Sequence, residues 1–338
     1  MEEAMEPVHK TGKYVLIGDL CMDIFMQVSA YPAVGGDGTV QAMHQHAGGS
    51  AANTAMMLAN LGGEPTLLTH TGADVWADQL FPILKATGVG TGKIIQEPGE
   101  ATGLTFLVVS SDAERTMFTY RAANPHLHPD EIFPSMFENA DCLHISSYAC
   151  LTAPQSDAVL KAVEFANQHN VKISLDIGVE PASQARDTIW KMLPKLSLIV
   201  LGEPEARVIT QETTLPAAIE TLLITGVQII ALKLGKDGCR LIRKGQDVSL
   251  AGFPINAVDS TGAGDAFSAG MIHGLTHGWT LEMAGRFANA LGALAASRWG
   301  AGEQLPSLKE ASAFLSERNS MENDPVILQV LEGLKKET

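Results

Sequence analysis

No run of about eighteen apolar residues occurs in this 338-residue sequence, so no membrane-spanning helix is expected. Cysteine is scarce. Cys21, Cys142, Cys150 and Cys239 form no C-x-x-C pair and no dense framework, which argues against a disulfide scaffold and for a reducing, cytoplasmic setting. Positive charge is also short: 23 Lys and Arg face 38 Asp and Glu, a net charge of −15. That excludes broad electrostatic attraction to nucleic acid or to an anionic membrane. It leaves room for an anionic ligand held by local N–H groups. The opening stretch, MEEAMEPVHKTGK, lacks the apolar centre of a secretory signal, and residues 1–12 read as a flexible tail.

What the sequence does contain is a rhythm. Short apolar runs at 14–20 (YVLIGDL), 66–71, 141–147 (DCLHISS), 171–178 (VKISLDIG), 196–202 (LSLIVLG) and 228–235 (QIIALKLG) read as buried strands. Helical spacing follows at 50–61, 77–86, 155–169, 184–193, 203–210 and 216–225. The last hundred residues turn helical, at 264–277, 281–298, 307–317 and 325–336. Strands alternating with helices predict an α/β fold in three layers, with a mostly parallel sheet covered on both faces. Two stretches break the pattern. Residues 24–40 and 102–120 look like strands without helices between them, the second as a hairpin turning near 111–114. They predict a small β-sheet over one end of the core, a lid or a contact surface. Ligands of open α/β sheets bind at the carboxyl ends of the strands, where this small sheet and the chemistry should meet.

The chemistry concentrates in AVDSTGAGDAFSAGMIHGL, residues 257–275. Small residues at 262–264 let the backbone approach a ligand closely, and the apolar spacing after Asp265 starts a helix there. A helix N-terminus presents free N–H donors and a positive dipole end, which suit a phosphate. Asp265 would repel a bound anion unless it serves a second substrate by taking its proton. The two together describe a kinase site. The spacing alone also suits a left-handed turn with a capping Asp.

Two motifs in order carry a family resemblance. AVDSTGAGDAFSAG is similar to the C-terminal signature of the ribokinase-like (PfkB) carbohydrate kinases, and HAGGSAANTAMMLANLG, residues 46–62, resembles their N-terminal one. The resemblance spans roughly 14–317. It implies a single ribokinase-like kinase domain over 1–338, with a lid from about 24–47 and 100–123, that phosphorylates a hydroxyl of a small sugar using ATP and Mg²⁺. By the same resemblance Asp265 is the general base, and the N–H groups of Gly262, Ala263, Gly264 and Asp265 form the anion hole. Asp23, Gly49 and Asn53 match sugar contacts, with Asp19 competing for the role of Asp23. KLGKDG (233–238) resembles the nucleotide loop, with Lys233, Gly235 and Gly238, although alone it reads as a strand-turn-strand hairpin. Asn289 matches a residue near adenine and ribose. Asp259, Thr261, Ala295 and Gly300 lie where some members hold a monovalent cation such as K⁺. A homodimer through the lid is also implied.

There are departures. In the usual Asn-x-x-Glu motif tied to the Mg²⁺ water network, Gly202 replaces the Asn while Glu205 keeps the acid. Cys21 and Tyr148 stand where ribokinase itself carries an Asn and an acid, which argues against ribose. Arg121, at the end of the second insertion, reads as a solvated surface residue, with reach from the lid to a substrate phosphate or carboxylate as the alternative. The pairs His44/His46 and His126/His128 lack the Cys and acid partners of a tetrahedral metal site and read as polar surface or substrate contacts. Two alternatives compete with the sugar kinase. One is a nucleoside kinase, for which Phe25, Phe106, Phe118 and Tyr120 in the lid would supply aromatic surface. The other is a catalytically silent sugar-binding protein, which the intact Asp265 and its loop oppose.

Overall fold

The computed structural model describes residues 11–110 and 115–337. Most of the expected tail, residues 1–10, and the expected turn at 111–114 lie outside the described residues. The strands, in chain order, are β1 (Lys13–Ile17), β2 (Cys21–Val28), β3 (Val40–Gly48), β4 (Glu64–Gly72), β5 (Ile94–Glu97), β6 (Gly103–Val109), β7 (Arg115–Tyr120), β8 (Cys142–Ser146), β9 (Lys172–Asp176), β10 (Leu198–Gly202), β11 (Ile230–Lys233), β12 (Cys239–Arg243) and β13 (Gln246–Leu250). Among the described residues they form two sheets. The large one has the order β13-β12-β11-β10-β9-β8-β1-β4-β5, and the small one β3-β2-β6-β7. From β11 to β5 every pairing in the large sheet is parallel, while β12 and β13 add an antiparallel edge.

The large sheet is the middle of three layers. Within β1, Leu16 faces one apolar cluster while Val15 and Ile17 face another. Alternation buried on both sides reads in the sequence as a continuous apolar run. One outer layer holds α1 (Ser50–Asn60), α2 (Val75–Ala86), α8 (Ala263–Thr276), α9 (Leu281–Ala296), α10 (Leu308–Glu322) and α11 (Pro325–Glu337). The other holds α3 (Gln155–Gln168), α4 (Val179–Gln184), α5 (Arg186–Met192), α6 (Glu203–Thr210) and α7 (Leu215–Ile224).

Two expectations need correction. The stretch 24–40 is not one strand: β2 starts at Cys21 and ends at Val28, and β3 begins only at Val40. Pro32 and the glycines at 35, 36 and 38 occupy the connection, where a missing N–H donor and a positive φ at Gly35 disfavour a ladder. The helix expected over 184–193 is present as α5 but starts at Arg186, and an unexpected short helix, α4, precedes it across Ala185, whose φ of −106° and ψ of 17° are not helical. Strands β5 and β13 were not anticipated. KLGKDG does join two antiparallel strands, β11 and β12.

Candidate active site

The carboxyl ends of β1, β8, β9, β10 and β11, the start of α8 and one face of the small sheet surround a cleft of about 380 Å³. The small sheet's alternation decides what it shows the cleft. Asp23 stands opposite Thr105, which stands opposite Thr119, and all three line the cleft.

The loop before α8 is built by Asp259. Its Oδ1 accepts the Thr261 N–H at 2.9 Å and the Thr261 hydroxyl at 2.7 Å, and its Oδ2 accepts the Gly300 N–H at 3.0 Å. Gly262 then turns the chain with φ +75°, and a Cβ there would lie 2.7 Å from the Ala301 Cβ. Only glycine fits both demands. The first intrahelical bond of α8 runs from Ala266 to Gly262, so the N–H groups of residues 263–265 have no partner one turn back. Ala263 donates to Ser260 at 3.2 Å, leaving Gly264 and Asp265 as the donors of this first turn without a turn bond of that kind.

Asp265 is held from α1. Its Oδ1 accepts the Ser50 hydroxyl and its Oδ2 accepts the Asn53 amide, each at 2.8 Å. Burial raises its pKa to about 6, and the charge of Asp176 adds to the rise against these two hydrogen bonds and Lys233. Asp176, at the end of β9, accepts Lys233 Nζ and the Ser268 hydroxyl, each at 2.8 Å. Burial pulls the Lys233 ammonium down, yet Asp176 beside it outweighs this and the net shift is upward. Both groups are thus shifted toward their protonated forms, and the lysine stays charged.

The other expected residues fall into groups. Asp23, Gly49, Asn53, Glu205, Lys233, Thr261, Gly262 and Gly264 line the cleft with Asp265. The Asp23 carboxylate sits over Gly48, where a Cβ would lie 2.2 Å from its Cγ. Gly49, at φ +93°, makes its close approach to the Asp19 carbonyl. Asn53 lines the cleft while its Oδ1 accepts the Gly302 N–H at 3.1 Å, so both ends of its amide also bond to protein. Glu205 reaches back to accept the Gly202 N–H at 3.0 Å, and a Cβ at 202 would lie 2.6 Å from its Oε2. The glycine makes room for that return. Gly235, Gly238 and Asn289 do not line the cleft. Gly238 and Asn289 meet at segment 250–252 instead: Asn289 donates to the carbonyls of Leu250 and Ala251 at 3.2 Å, and a Cβ on Gly238 would lie 2.1 Å from the Leu250 carbonyl, while a Cβ on Gly235 would meet open space. Asp259 and Gly300 are joined outside the cleft, and the nearby Ala295 carbonyl accepts the Arg298 N–H at 3.4 Å.

Sequence reasoning misplaced Arg121. It is largely buried and grips Asp19 with two bonds, Nε to Oδ2 at 2.6 Å and Nη2 to Oδ1 at 2.8 Å, and also donates to Gln155 Oε1 at 2.6 Å. Burial lowers its pKa, but Asp19 offsets this and the shift is upward. Sequence reasoning also passed over Asp176 and Ser50. An acid at the carboxyl end of an α/β strand is the signal that points to Asp176; Ser50 has no local signal. The histidines turn to carboxylates: His46 to Glu303 and His126 to Glu97. Among the described residues no group of three or more His, Cys, Asp or Glu side chains is arranged to hold a metal ion.

A buried carboxylate beside a helix N-terminus, at the carboxyl ends of a parallel sheet, is the arrangement a small-molecule kinase needs. The chain belongs to the pfkB family of carbohydrate kinases, whose sequence profile it matches over residues 11–308, and is thus a sugar kinase. It is similar to probable fructokinase-3 of Arabidopsis thaliana, 29% identical over 93% of this chain and 94% of that one. It is 26% identical to the 5-dehydro-2-deoxygluconokinase of Geobacillus thermodenitrificans over 89% and 92% of the two chains. Among solved structures it resembles an Escherichia coli protein assigned as ribokinase II, in complex with ATP and Mg²⁺, with a TM-score of 0.81, 25% identity and coverage of 91% and 100%. No helix among the described residues is long and apolar enough to cross a membrane.

Proposed function

We propose that this protein transfers the γ-phosphoryl group of ATP to a hydroxyl of a neutral sugar, with Asp265 as general base. One observation carries the reading: a buried carboxylate with a pKa raised to about 6 stands at the first turn of α8. The acceptor hydroxyl gives its proton to Asp265 as its oxygen bonds to the γ-phosphorus, and the bond to the β-phosphate oxygen breaks to release ADP. N–H groups of Gly262, Ala263, Gly264 and Asp265 meet the charge on the transferring group, with the Ala263 N–H released from Ser260 as the phosphate arrives. Lys233, fixed by Asp176, adds positive charge beside them. The Glu205 carboxylate at the cleft wall would hold, through water, a Mg²⁺ brought with ATP, which would supply charge neutralisation at the phosphates. Gly238 and Asn289, which meet at segment 250–252, and Gly235 of the same loop are read as the nucleotide side. A K⁺ at Asp259, Thr261, Ala295 and Gly300 fits less well, because both Asp259 oxygens already accept protein donors.

The acceptor wall favours an uncharged polyol. Asp19 and Asp23 line it, and the nearby guanidinium of Arg121 is bound in a fork by Asp19. A carboxylate or phosphate on the sugar would face acids there. An ADP-release panel tests this: neutral hexoses and pentoses should turn over, and sugar acids and sugar phosphates should not. Turnover confined to the charged sugars, or none with any sugar, rejects the reading. A nucleoside is the second reading. Tyr148 is the one aromatic side chain among the described residues lining the cleft, and Phe25, Phe106, Phe118 and Tyr120 are not among them, which leaves a base little to stack on. Turnover of nucleosides alone in the same panel would favour it.

The raised pKa of Asp265 fixes a pH dependence. The base works ionised, so acceptor kcat/KM should fall about tenfold per pH unit below about pH 6. A profile flat down to pH 4.5 would remove Asp265 from the proton transfer.

The small sheet is read as a lid and as a dimer surface. On its face away from the cleft, Phe118, Tyr120 and Met43 are 62%, 57% and 57% exposed, beside the side chains of Phe106 and Met26. Such an apolar sheet face is best covered by a second copy. Sedimentation should show a homodimer at micromolar concentration, reduced to monomer by Phe118→Asp. A parent protein that is already monomeric excludes the dimer. ATP as donor and four free, buried thiols suit the cytoplasm.

A further inference from the structure

Residues 300–304, which end in the turn Gly302–Gln304, touch three parts of the site at once. Strand β3 is an edge of the small sheet, so its outward N–H groups have no ladder partner. Glu303 Oε2 accepts one of them, from Ala47, at 3.1 Å, and its Oε1 faces His46 Nδ1 at 2.9 Å. His46 stands directly opposite Asp23 in the β2–β3 ladder, on the same face. The Phe25 ring lies edge-on to the His46 ring, 5.7 Å between centroids. Next along the chain, Gly302 donates to Asn53 Oδ1, and Asn53 donates to Asp265. Two residues earlier, Gly300 donates to Asp259, which shapes the loop at Thr261.

The fit leaves no room for side chains. A Cβ at Gly302 would lie 2.1 Å from the Ala47 carbonyl, and one at Gly300 would lie 2.7 Å from the His46 ring. Both glycines have positive φ, +58° and +78°. The turn is therefore pressed onto β3 as closely as backbone allows.

We propose that Glu303 is a positioning residue, which latches the acceptor wall of the small sheet to the turn that braces both the base and the anion-hole loop. This rests on the kinase reading above. Glu303 touches no reacting atom in that reading. It sets the separation between Asp23, through His46 and Ala47, and Asp265, through Gly302 and Asn53. His46 holds the Glu303 carboxylate below its usual pKa despite burial, in keeping with an ionised latch. A misplacement of about 1 Å between acceptor and base costs on the order of a hundredfold in rate.

Glu303→Ala and Glu303→Gln test it, with two readouts. Amide hydrogen exchange needs no turnover. Exchange across 44–48 should quicken roughly tenfold in Glu303→Ala, by about the net worth of one or two hydrogen bonds, and less in Glu303→Gln, whose amide oxygen can still accept from Ala47. In the kinetics, the acceptor kcat/KM should fall about 10- to 100-fold with both KM and kcat affected, while the ATP KM stays within twofold. Unchanged exchange across 44–48 in Glu303→Ala overturns the latch even if no sugar is a substrate. So does quickened exchange with parental acceptor kinetics, or an ATP KM that moves as far as the acceptor KM. A parent enzyme that phosphorylates no sugar instead rejects the kinase reading, and the exchange result still decides whether Glu303 holds β3. Should Glu303→Ala not fold, Glu303→Gln carries both readouts.

Discussion

Asp265→Asn is expected to lower phosphoryl transfer by about 10²–10⁴-fold while ATP still binds. The substitution is well matched to the site. An amide oxygen placed at Oδ2 still accepts the Asn53 amide, and an NH₂ placed at Oδ1 can donate to the Ser50 hydroxyl, which both accepts and donates. The loop shape is kept and only proton acceptance is lost. Turnover and ATP titration on the same preparation separate the two. A variant within a few-fold of the parent would show that another group takes the proton. Stability supplies a check that does not depend on the acceptor. The folded pKa of Asp265 is raised from 3.8 to about 6, so the folded state binds the extra proton in that window. The parent therefore loses stability as pH rises from about 4 to about 6, and Asp265→Asn should lack that component of the Tm profile.

Asp23→Ala and Asp19→Ala should fail in different ways. Asp23 lines the cleft from the small sheet, and a hydrogen bond to a charged group contributes about 1.5–3 kcal/mol. Its loss should lower the sugar's kcat/KM by roughly ten- to over a hundredfold and leave the ATP KM in place. Asp19 is spent on Arg121, with the two side chains 9% and 16% exposed. Removing it leaves a buried guanidinium with Gln155 and no carboxylate, a loss of about 3–5 kcal/mol of stability in such pairs. The expected result is a kinetic defect without unfolding for Asp23→Ala, and a large drop in Tm for Asp19→Ala. The reverse outcome, normal sugar kinetics in Asp23→Ala beside a selective sugar defect in a stable Asp19→Ala, would move the sugar contact to the end of β1.

The contrast between Asp19 and Arg121 marks where sequence reasoning stops. The inner parallel strands of the large sheet were legible because two buried faces leave a continuous apolar run, as in Val15, Leu16 and Ile17, whereas the edge strands β5 and β13 show no such run. The start of α8 was legible because Gly262, Ala263, Gly264 and Asp265 are adjacent in the chain, and the constraints on a turn and a helix N-terminus are local. The break at Ala185 was not, because it shows no proline or glycine of its own. The partners within the site were not legible either. Asp19 and Arg121 are 102 residues apart, Asp176 and Lys233 are 57 apart, and Ser50 and Asp265 are 215 apart. Periodicity relates a residue to neighbours within a turn or a strand. Which distant acid meets which distant base is decided by the order in which parallel strands assemble, and by the burial that brings their carboxyl ends to one cleft. The sequence by itself thus determined the layers, the helix whose first turn carries Asp265 and the class of chemistry. Only the tertiary structure decided that Arg121 pairs with Asp19, that burial and Asp176 raise the pKa of Asp265, and that Glu303 bonds to β3, because each depends on groups that are close in space and far apart in the chain.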